Sequence, residues 1–266
     1  PSGKNYLMED FFYAGGLRAL MVELGDKLDL NVKTVTGQTL KECIKRSKNY
    51  NSDVIRTLKN PVYHEGSLAV LKGNLAPDGA VIKPAAMDPK FQKHNGPAIV
   101  ADSYAELKEI INDEDYPITA DHILVLRNAG PKGGPGMPEW GMIPMPKALL
   151  KQGHRDMIRL SDARMSGTSY GACILHVAPE AFIGGPLALI RTGDIIQVDI
   201  PNRKLDVDIS KSEMKKRQED WVAPKPRYER GYGYIYSKHI EQADKGCDFD
   251  FLSTDFGAAV EEPEIN

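Results

Sequence analysis

Apolar residues follow two different patterns along this chain of 266 residues, and the pattern changes near Pro61. Between residues 5 and 28, apolar positions recur at near-helical spacing and predict one helix or a pair of short helices. A further short helix is predicted over residues 39–46, with Thr39 as its N-cap and Glu42 three residues later as its capping-box partner. The first part of the chain is therefore expected to be helical.

From Pro61 onward, short apolar runs bounded by turn residues replace the helical spacing. Several of the runs are rich in valine and isoleucine, which favours a β-rich body. The runs of strand length are residues 68–71, 80–82, 98–100, 123–126, 174–177, 195–200 and 205–209. The last two are joined by a hairpin connection, and their alternation predicts one solvent-facing side.

Helices are predicted between these strands, over residues 103–113, 146–152 and 210–219. We expect Ser103 to cap the first of them and Glu106 to complete a capping box. A sheet or barrel with peripheral helices belongs to the α/β fold class. A tail rich in tyrosine and glycine follows and is expected to pack against another surface.

Net charge, the length of the apolar runs and the cysteine content exclude several classes of protein. The net charge of −3 gives no electrostatic case for a nucleic-acid partner, and the apolar runs fall short of the roughly 20 residues that a membrane span needs. No secretory signal is visible, and Cys43, Cys173 and Cys247 form neither a disulfide framework nor a zinc motif. A cytoplasmic protein is expected. The chain begins with Pro1, so we interpret it as processed or truncated.

Two loops of small residues carry the candidate chemistry. Residues 128–139 contain four glycines and three prolines, and Glu139 is the carboxylate at the end of this loop. Such a loop can hold an anion with its backbone N–H groups, although it lacks the P-loop pattern of nucleotide enzymes. Glu139 is either a surface residue or a metal-binding or catalytic carboxylate.

The second loop, residues 161–171, places Ser166 27 positions after Glu139. Asp162 and Arg164 are candidates for a local ion pair or a carboxylate clamp. A serine needs a partner group or a metal to act as a base or nucleophile. His176 is either that partner or a core histidine, and no Gly-x-Ser-x-Gly pattern supports a hydrolase.

Five motifs in order along the chain resemble the dihydroxy-acid and sugar-acid dehydratase family. They are residues 130–139, 161–167, 176–181, 184–189 and 193–203. Thr168 and the tail motif at 231–234 resemble the aldonate branch, of the pentonate (arabinonate or xylonate) type, more than the branched-chain amino-acid enzyme. Members of this family are about twice as long, so the resemblance implies that this chain is a C-terminal half.

The resemblance also implies a domain arrangement. Residues 1–60 would be the end of an N-terminal α/β domain, residues 61–222 a swivelling β-barrel domain with flanking helices, and residues 223–266 a tail packing on a neighbouring domain or subunit. The expected partners are the chain's own N-terminal domain and further copies in a homo-oligomer. The family's [2Fe–2S] cysteines and remaining metal ligands would lie in the N-terminal half.

For the site, the resemblance implies that Glu139 binds Mg²⁺ and that Ser166 is the catalytic base. A hydro-lyase of this kind removes the C2 proton of a sugar acid, while the cluster accepts the C3 hydroxyl, and yields a 2-keto-3-deoxy acid. Beyond the resemblance, we expect Gly167, Thr168 and Ser169 to contact the substrate. Two alternatives stay open: a dihydroxy-acid dehydratase of branched-chain amino-acid synthesis, and a non-catalytic assembly module. The chain by itself is expected to be inactive.

Overall fold

The computed structural model describes residues 5–62, 64–166 and 170–252. The chain divides into two compact units, Pro1–Gly66 and Ser67–Asn266. In the described part of the first unit, the helices are α1 (Met8–Tyr13), α2 (Gly16–Leu24) and α3 (Leu40–Ile44). The predicted pair of short helices is confirmed, and α3 begins with the predicted capping box between Thr39 and Glu42.

The second unit is built on one mixed sheet of eight strands. They are β1 (Ala69–Leu71), β2 (Gly79–Ile82), β3 (Lys93–Ala101), β4 (Ile123–Leu126), β5 (Arg159–Ser161), β6 (Cys173–Ala178), β7 (Ile195–Asp199) and β8 (Lys204–Val207). Their order is β1-β2-β6-β5-β4-β3-β7-β8. The central strands β6, β5, β4 and β3 are parallel, and antiparallel pairs flank them on both sides.

Backbone pairing beyond the ends of the sheet brings its two edges together. The N–H of Lys72, directly after β1, donates to the carbonyl of Arg203 at 2.9 Å, and the N–H of Leu205 donates back to Lys72 at 3.0 Å. Asn74 extends this contact, since its side chain bonds both the N–H and the C=O of Val207 at 2.7 and 2.9 Å. The sheet therefore curls into a nearly closed barrel, and the predicted α/β fold class is confirmed.

Alternation along β4 separates two hydrophobic layers. Ile123 and Val125 pack in a cluster to which all eight strands contribute, which places that cluster inside the barrel. Leu124 and Leu126 face the opposite way and pack in a second cluster, which includes Leu107 of the helix that precedes β4 in the chain. All four β4 residues are buried because they serve both layers.

The helices of the second unit are α4 (Tyr104–Asn112), α5 (Lys147–Lys151), α6 (Lys211–Asp220) and α7 (Gly231–His239). Ser103 caps α4 as predicted, accepting from the N–H of Glu106. A capping box would also need the Glu106 carboxylate to accept from the N–H of Ser103. That part of the prediction is wrong, because this carboxylate accepts from the N–H of Asp102 at 2.7 Å. None of the described helices has the length and apolar character that crossing a membrane requires.

Candidate active site

The two predicted loops follow neighbouring strands and lie at the same end of the barrel. β4 runs parallel to β5, with Leu126 paired to Ser161, so both strands end at the same level. The glycine-rich loop follows β4, and the segment from Asp162 to Ser166 follows β5. Carboxyl ends of parallel strands are where α/β proteins commonly place ligands.

Arg164 joins these two loops. Its Nη1 lies 3.0 Å from Oε1 of Glu139, and its Nε donates to the carbonyl of Met137 at 2.5 Å. The N–H of Gly141 donates to the Arg164 carbonyl at 2.8 Å. A Cβ at Gly141 would lie 2.6 Å from that same oxygen, so glycine permits the close approach. The predicted local pair of Arg164 with Asp162 is wrong, because Arg164 pairs with Glu139.

Asp162 acts as an internal anchor for the loops. Its buried carboxylate accepts hydrogen bonds from the N–H groups of Asn128, Ala129 and Ala181 at 3.2, 3.0 and 2.9 Å. Burial, together with the nearby charge of Glu180, raises the pKa of Asp162 to about 7. These contacts hold the segments after three strands together, so the residue has a clear structural role.

Glu180 occupies the anion cradle that the glycine-rich loop was predicted to form. Its carboxylate accepts from the N–H groups of Lys132 and Gly133, both at 2.9 Å, and from the Gln242 amide at 2.7 Å. A Cβ at Gly130 would lie 2.7 Å from this carboxylate. Burial raises the pKa of Glu180, while these hydrogen bonds oppose the rise. The anion held by the loop is thus one of the protein's own side chains.

Glu139 and Ser166 are the two residues predicted to carry the chemistry. Glu139 is half-exposed, and Oε1 carries its ion pair with Arg164. Ser166 is partly buried, two residues beyond Arg164. Gly167, Thr168 and Ser169, predicted to contact the substrate, lie outside the described residues.

Glu139 fits Mg²⁺ as a single ligand, because it presents an accessible carboxylate oxygen to a cation that prefers oxygen donors. Within the described ranges, no three side chains of His, Cys, Asp or Glu come together as a metal site. Cys43, Cys173 and Cys247 therefore do not fit an iron–sulfur cluster in this part of the molecule.

His176 sits in β6 with an unusual backbone. Its φ of 53° lies in the left-handed region, which is uncommon for a residue other than glycine. The side chain is partly buried, and burial together with the charge of Arg164 lowers its pKa. Its N–H donates to the carbonyl of Ala163 at 3.1 Å. The backbone of the histidine thus adjoins the segment that leads to Ser166.

A cleft of about 650 Å³ opens beside the glycine-rich loop. Tyr104 and Trp140 stack in its wall with ring centroids 5.7 Å apart, and the guanidinium of Arg227 lies 5.5 Å from the Trp140 ring. Trp140 follows Glu139 directly, but neither Glu139 nor Ser166 lines the cleft. The cleft therefore neighbours the candidate site without containing its two reactive groups.

Comparison with known proteins agrees with the family resemblance. The C-terminal domain model of the dihydroxy-acid/6-phosphogluconate dehydratases matches residues 53–247. A 6-deoxy-6-sulfo-D-gluconate dehydratase of Pseudomonas putida is 49% identical over 100% of this chain and 46% of its own length. An L-arabinonate dehydratase of Rhizobium leguminosarum bv. trifolii is 45% identical over 98% of this chain and 45% of its own length.

A dihydroxy-acid dehydratase of Acetivibrio thermocellus is also 45% identical, over 93% of this chain and 44% of its own length. The chain thus spans a little under half the length of these curated relatives.

Proposed function

The chain belongs to the dihydroxy-acid/6-phosphogluconate dehydratase family, and we propose that it forms the C-terminal half of a hydro-lyase acting on a sugar acid. Its relatives include dehydratases named for sulfogluconate and for arabinonate, both aldonic acids. The rest of the whole protein, including an N-terminal domain, is the proposed partner of this half in a cytoplasmic homo-oligomer.

The observation that carries the proposal is the pairing of the two loops through Arg164. The bonds from Arg164 to Glu139 and Met137, with the one from Gly141, hold the metal-ligand candidate beside the segment that leads to Ser166. A base and a metal ligand on adjoining loops suit removal of a proton next to a carboxylate.

In the proposed reaction, the Ser166 hydroxyl first gives up its proton to water, and its oxygen then takes the C2 proton of the substrate. The C2–H electron pair forms the C2–C3 double bond while the C3 hydroxyl leaves as hydroxide. This hydroxide and the proton that Ser166 released make up the one water lost overall. The enol then tautomerises to a 2-keto-3-deoxy acid. Arg164 orients Glu139 and adds positive charge near the substrate's carboxylate.

Glu139 is the residue of this half that would hold Mg²⁺. Bound Mg²⁺ would supply Lewis-acid polarisation of the substrate's carboxylate and C2 hydroxyl, which acidifies the C2 proton. No described side chains fit a [2Fe–2S] cluster, so we propose that any cluster ligands belong to the length of the relatives that this chain does not span.

The test is Ser166→Ala in the whole protein, with Ser212→Ala on the surface of α6 as a matched control. We expect Ser166→Ala to keep folding and metal content but to lose turnover, measured as release of 2-keto-3-deoxy acid from an aldonate panel. Near-normal activity of this variant contradicts the role of Ser166. Turnover of a branched 2,3-dihydroxy acid in place of aldonates would favour the alternative substrate class.

A further inference from the structure

A buried ion pair lies beneath the two site loops. Arg159 in β5 is 1% exposed, and its Nη2 lies 3.0 Å from Oδ1 of Asp156, which is 8% exposed. A pair taken this far out of water contributes little net stability unless further hydrogen bonds satisfy both partners. Both partners of this pair make such further hydrogen bonds, and these bonds involve the backbone that follows the candidate site residues.

Arg159 bonds the backbone four residues after each of the two candidate site residues. Its Nη1 donates to the carbonyl of Ile143 at 2.8 Å, and Ile143 is four residues after Glu139. Its Nη2 also donates to the carbonyl of Tyr170 at 3.2 Å, and Tyr170 is four residues after Ser166. One guanidinium therefore joins the segment that follows the glycine-rich loop to the end of the serine loop.

Asp156 and Gly171 complete this arrangement. The Asp156 carboxylate accepts from the N–H of Ala172 at 2.9 Å and from the N–H of Asp88 at 2.9 Å. Gly171 has a φ of 90°, and a Cβ there would lie 1.9 Å from Nη2 of Arg159. The backbone after the serine segment thus lies directly on the buried pair, with no space for a side chain.

We propose that Arg159 is a positioning residue that fixes the location of Ser166 relative to Glu139. This inference rests on the proposed function of those two residues. Arg159 touches neither of them directly and acts through Ile143 and Tyr170. A lysine would keep the charge beside Asp156, but it lacks the planar fork that reaches both carbonyls at once.

The experiment compares Arg159→Lys with Arg217→Lys in the whole protein. Arg217 is a matched control because its side chain is 9% exposed, pairs with Asp194 and Glu213, and donates to the Leu189 carbonyl at 2.9 Å, away from both loops. Three quantities are measured: kcat and KM for an aldonate, the affinity for Mg²⁺, and hydrogen exchange at the Gly171 and Ala172 amides.

We expect both variants to lower the thermal midpoint, but only Arg159→Lys to lower kcat, by about 100-fold, as a misplacement near 1 Å does. Its KM should change much less, and the Gly171 and Ala172 amides should exchange faster. Equal effects of the two variants on kcat, or unchanged exchange at those amides, would overturn the proposal.

Asp156→Asn is the second variant, in case Arg159→Lys does not fold. This change keeps the side-chain shape and one oxygen acceptor. We therefore expect a smaller decrease in kcat and a smaller increase in amide exchange than for Arg159→Lys. If neither changes, the result counts against the proposal. If the wild type has no dehydratase turnover, the proposed function fails by itself. The exchange comparison then still decides whether Arg159 holds the backbone that follows Ser166.

Discussion

The guanidinium of Arg164 lies 3.0 Å from the carboxylate of Glu139, although 25 residues separate them in the chain. Their side chains are 41% and 50% exposed, and ion pairs at such exposure contribute only about 0–1 kcal/mol to stability. The pair is better explained as a means of orienting the Glu139 side chain, because it holds Oε1 of Glu139 against the Arg164 guanidinium. A cation bound by Glu139 would share this carboxylate with Arg164.

Glu139→Gln is therefore expected to weaken Mg²⁺ binding without unfolding the protein. Loss of an outer-shell partner alone typically costs 10- to 100-fold in metal affinity, so loss of a ligand should cost at least about tenfold. Calorimetric titration of the whole protein with Mg²⁺ measures this. Glu219→Gln, an exposed change on α6, is the control, and equal affinities for the two variants would exclude Glu139 as a ligand.

Asp162→Asn is expected to destabilise the fold. The amide keeps one accepting oxygen but turns an NH₂ group toward backbone N–H donors, so at least one donor among Asn128, Ala129 and Ala181 loses its partner. An unsatisfied buried donor costs about 1–3 kcal/mol. Thermal unfolding at pH 6 measures the loss, and Asp220→Asn at an exposed position should change little. A midpoint equal to that of the wild type would contradict the anchoring role.

The same carboxyl group predicts a pH dependence with a definite sign. The pKa of Asp162 is about 7 in the folded protein against an ordinary 3.8. Between pH 3.8 and pH 7, the folded protein therefore keeps a proton that the unfolded chain has lost. Its contribution to the free energy of unfolding is complete near pH 4 and is lost as the pH rises through about 7.

Urea unfolding at pH 5 and pH 8 tests this sign. The stability advantage of the wild type over Asp162→Asn should be larger at pH 5 than at pH 8. An advantage that stays the same at pH 5 and pH 8 would mean that Asp162 is ionised in the folded protein throughout this range.

Asn74→Ala is expected to loosen the closure of the barrel. The change removes the side-chain bonds to both backbone groups of Val207, and the expected loss is about 1–3 kcal/mol in the free energy of unfolding. Asn112→Ala is the control, because Asn112 is exposed and its side chain bonds only the Lys108 carbonyl among the described residues. Equal stability of the two variants would show that the closure does not depend on Asn74.

The strands with long apolar runs could be predicted from sequence because alternation and β-branched residues mark them locally. β5 could not, since it has only three residues and its Arg159 and Ser161 are polar yet buried. Their burial depends on partners such as Ile143 and Asp156, whose proximity arises only in the folded chain.

The candidate site was likewise predictable in part. Its loops and the residues Glu139 and Ser166 stand out as small-residue segments with reactive groups, and their roles stay predictions. Asp162 was predicted only as a partner of Arg164 or part of a carboxylate clamp. Its anchoring role could not be predicted, because its carboxylate is bonded by N–H groups 33 and 34 residues earlier and 19 residues later. Glu180 depends on Gln242, 62 residues away, and no local pattern signals that contact.

The bridge between Lys72 and Lys204 has a consequence for how copies of the chain meet one another. Open sheets expose rows of unpaired N–H and C=O groups that recruit strands from other molecules and begin aggregation. Here the two outermost strands, β1 and β8, meet through this bridge and the Asn74 bonds, so the described barrel presents little free edge as a template. Strand pairing with another molecule is therefore disfavoured at these two strands.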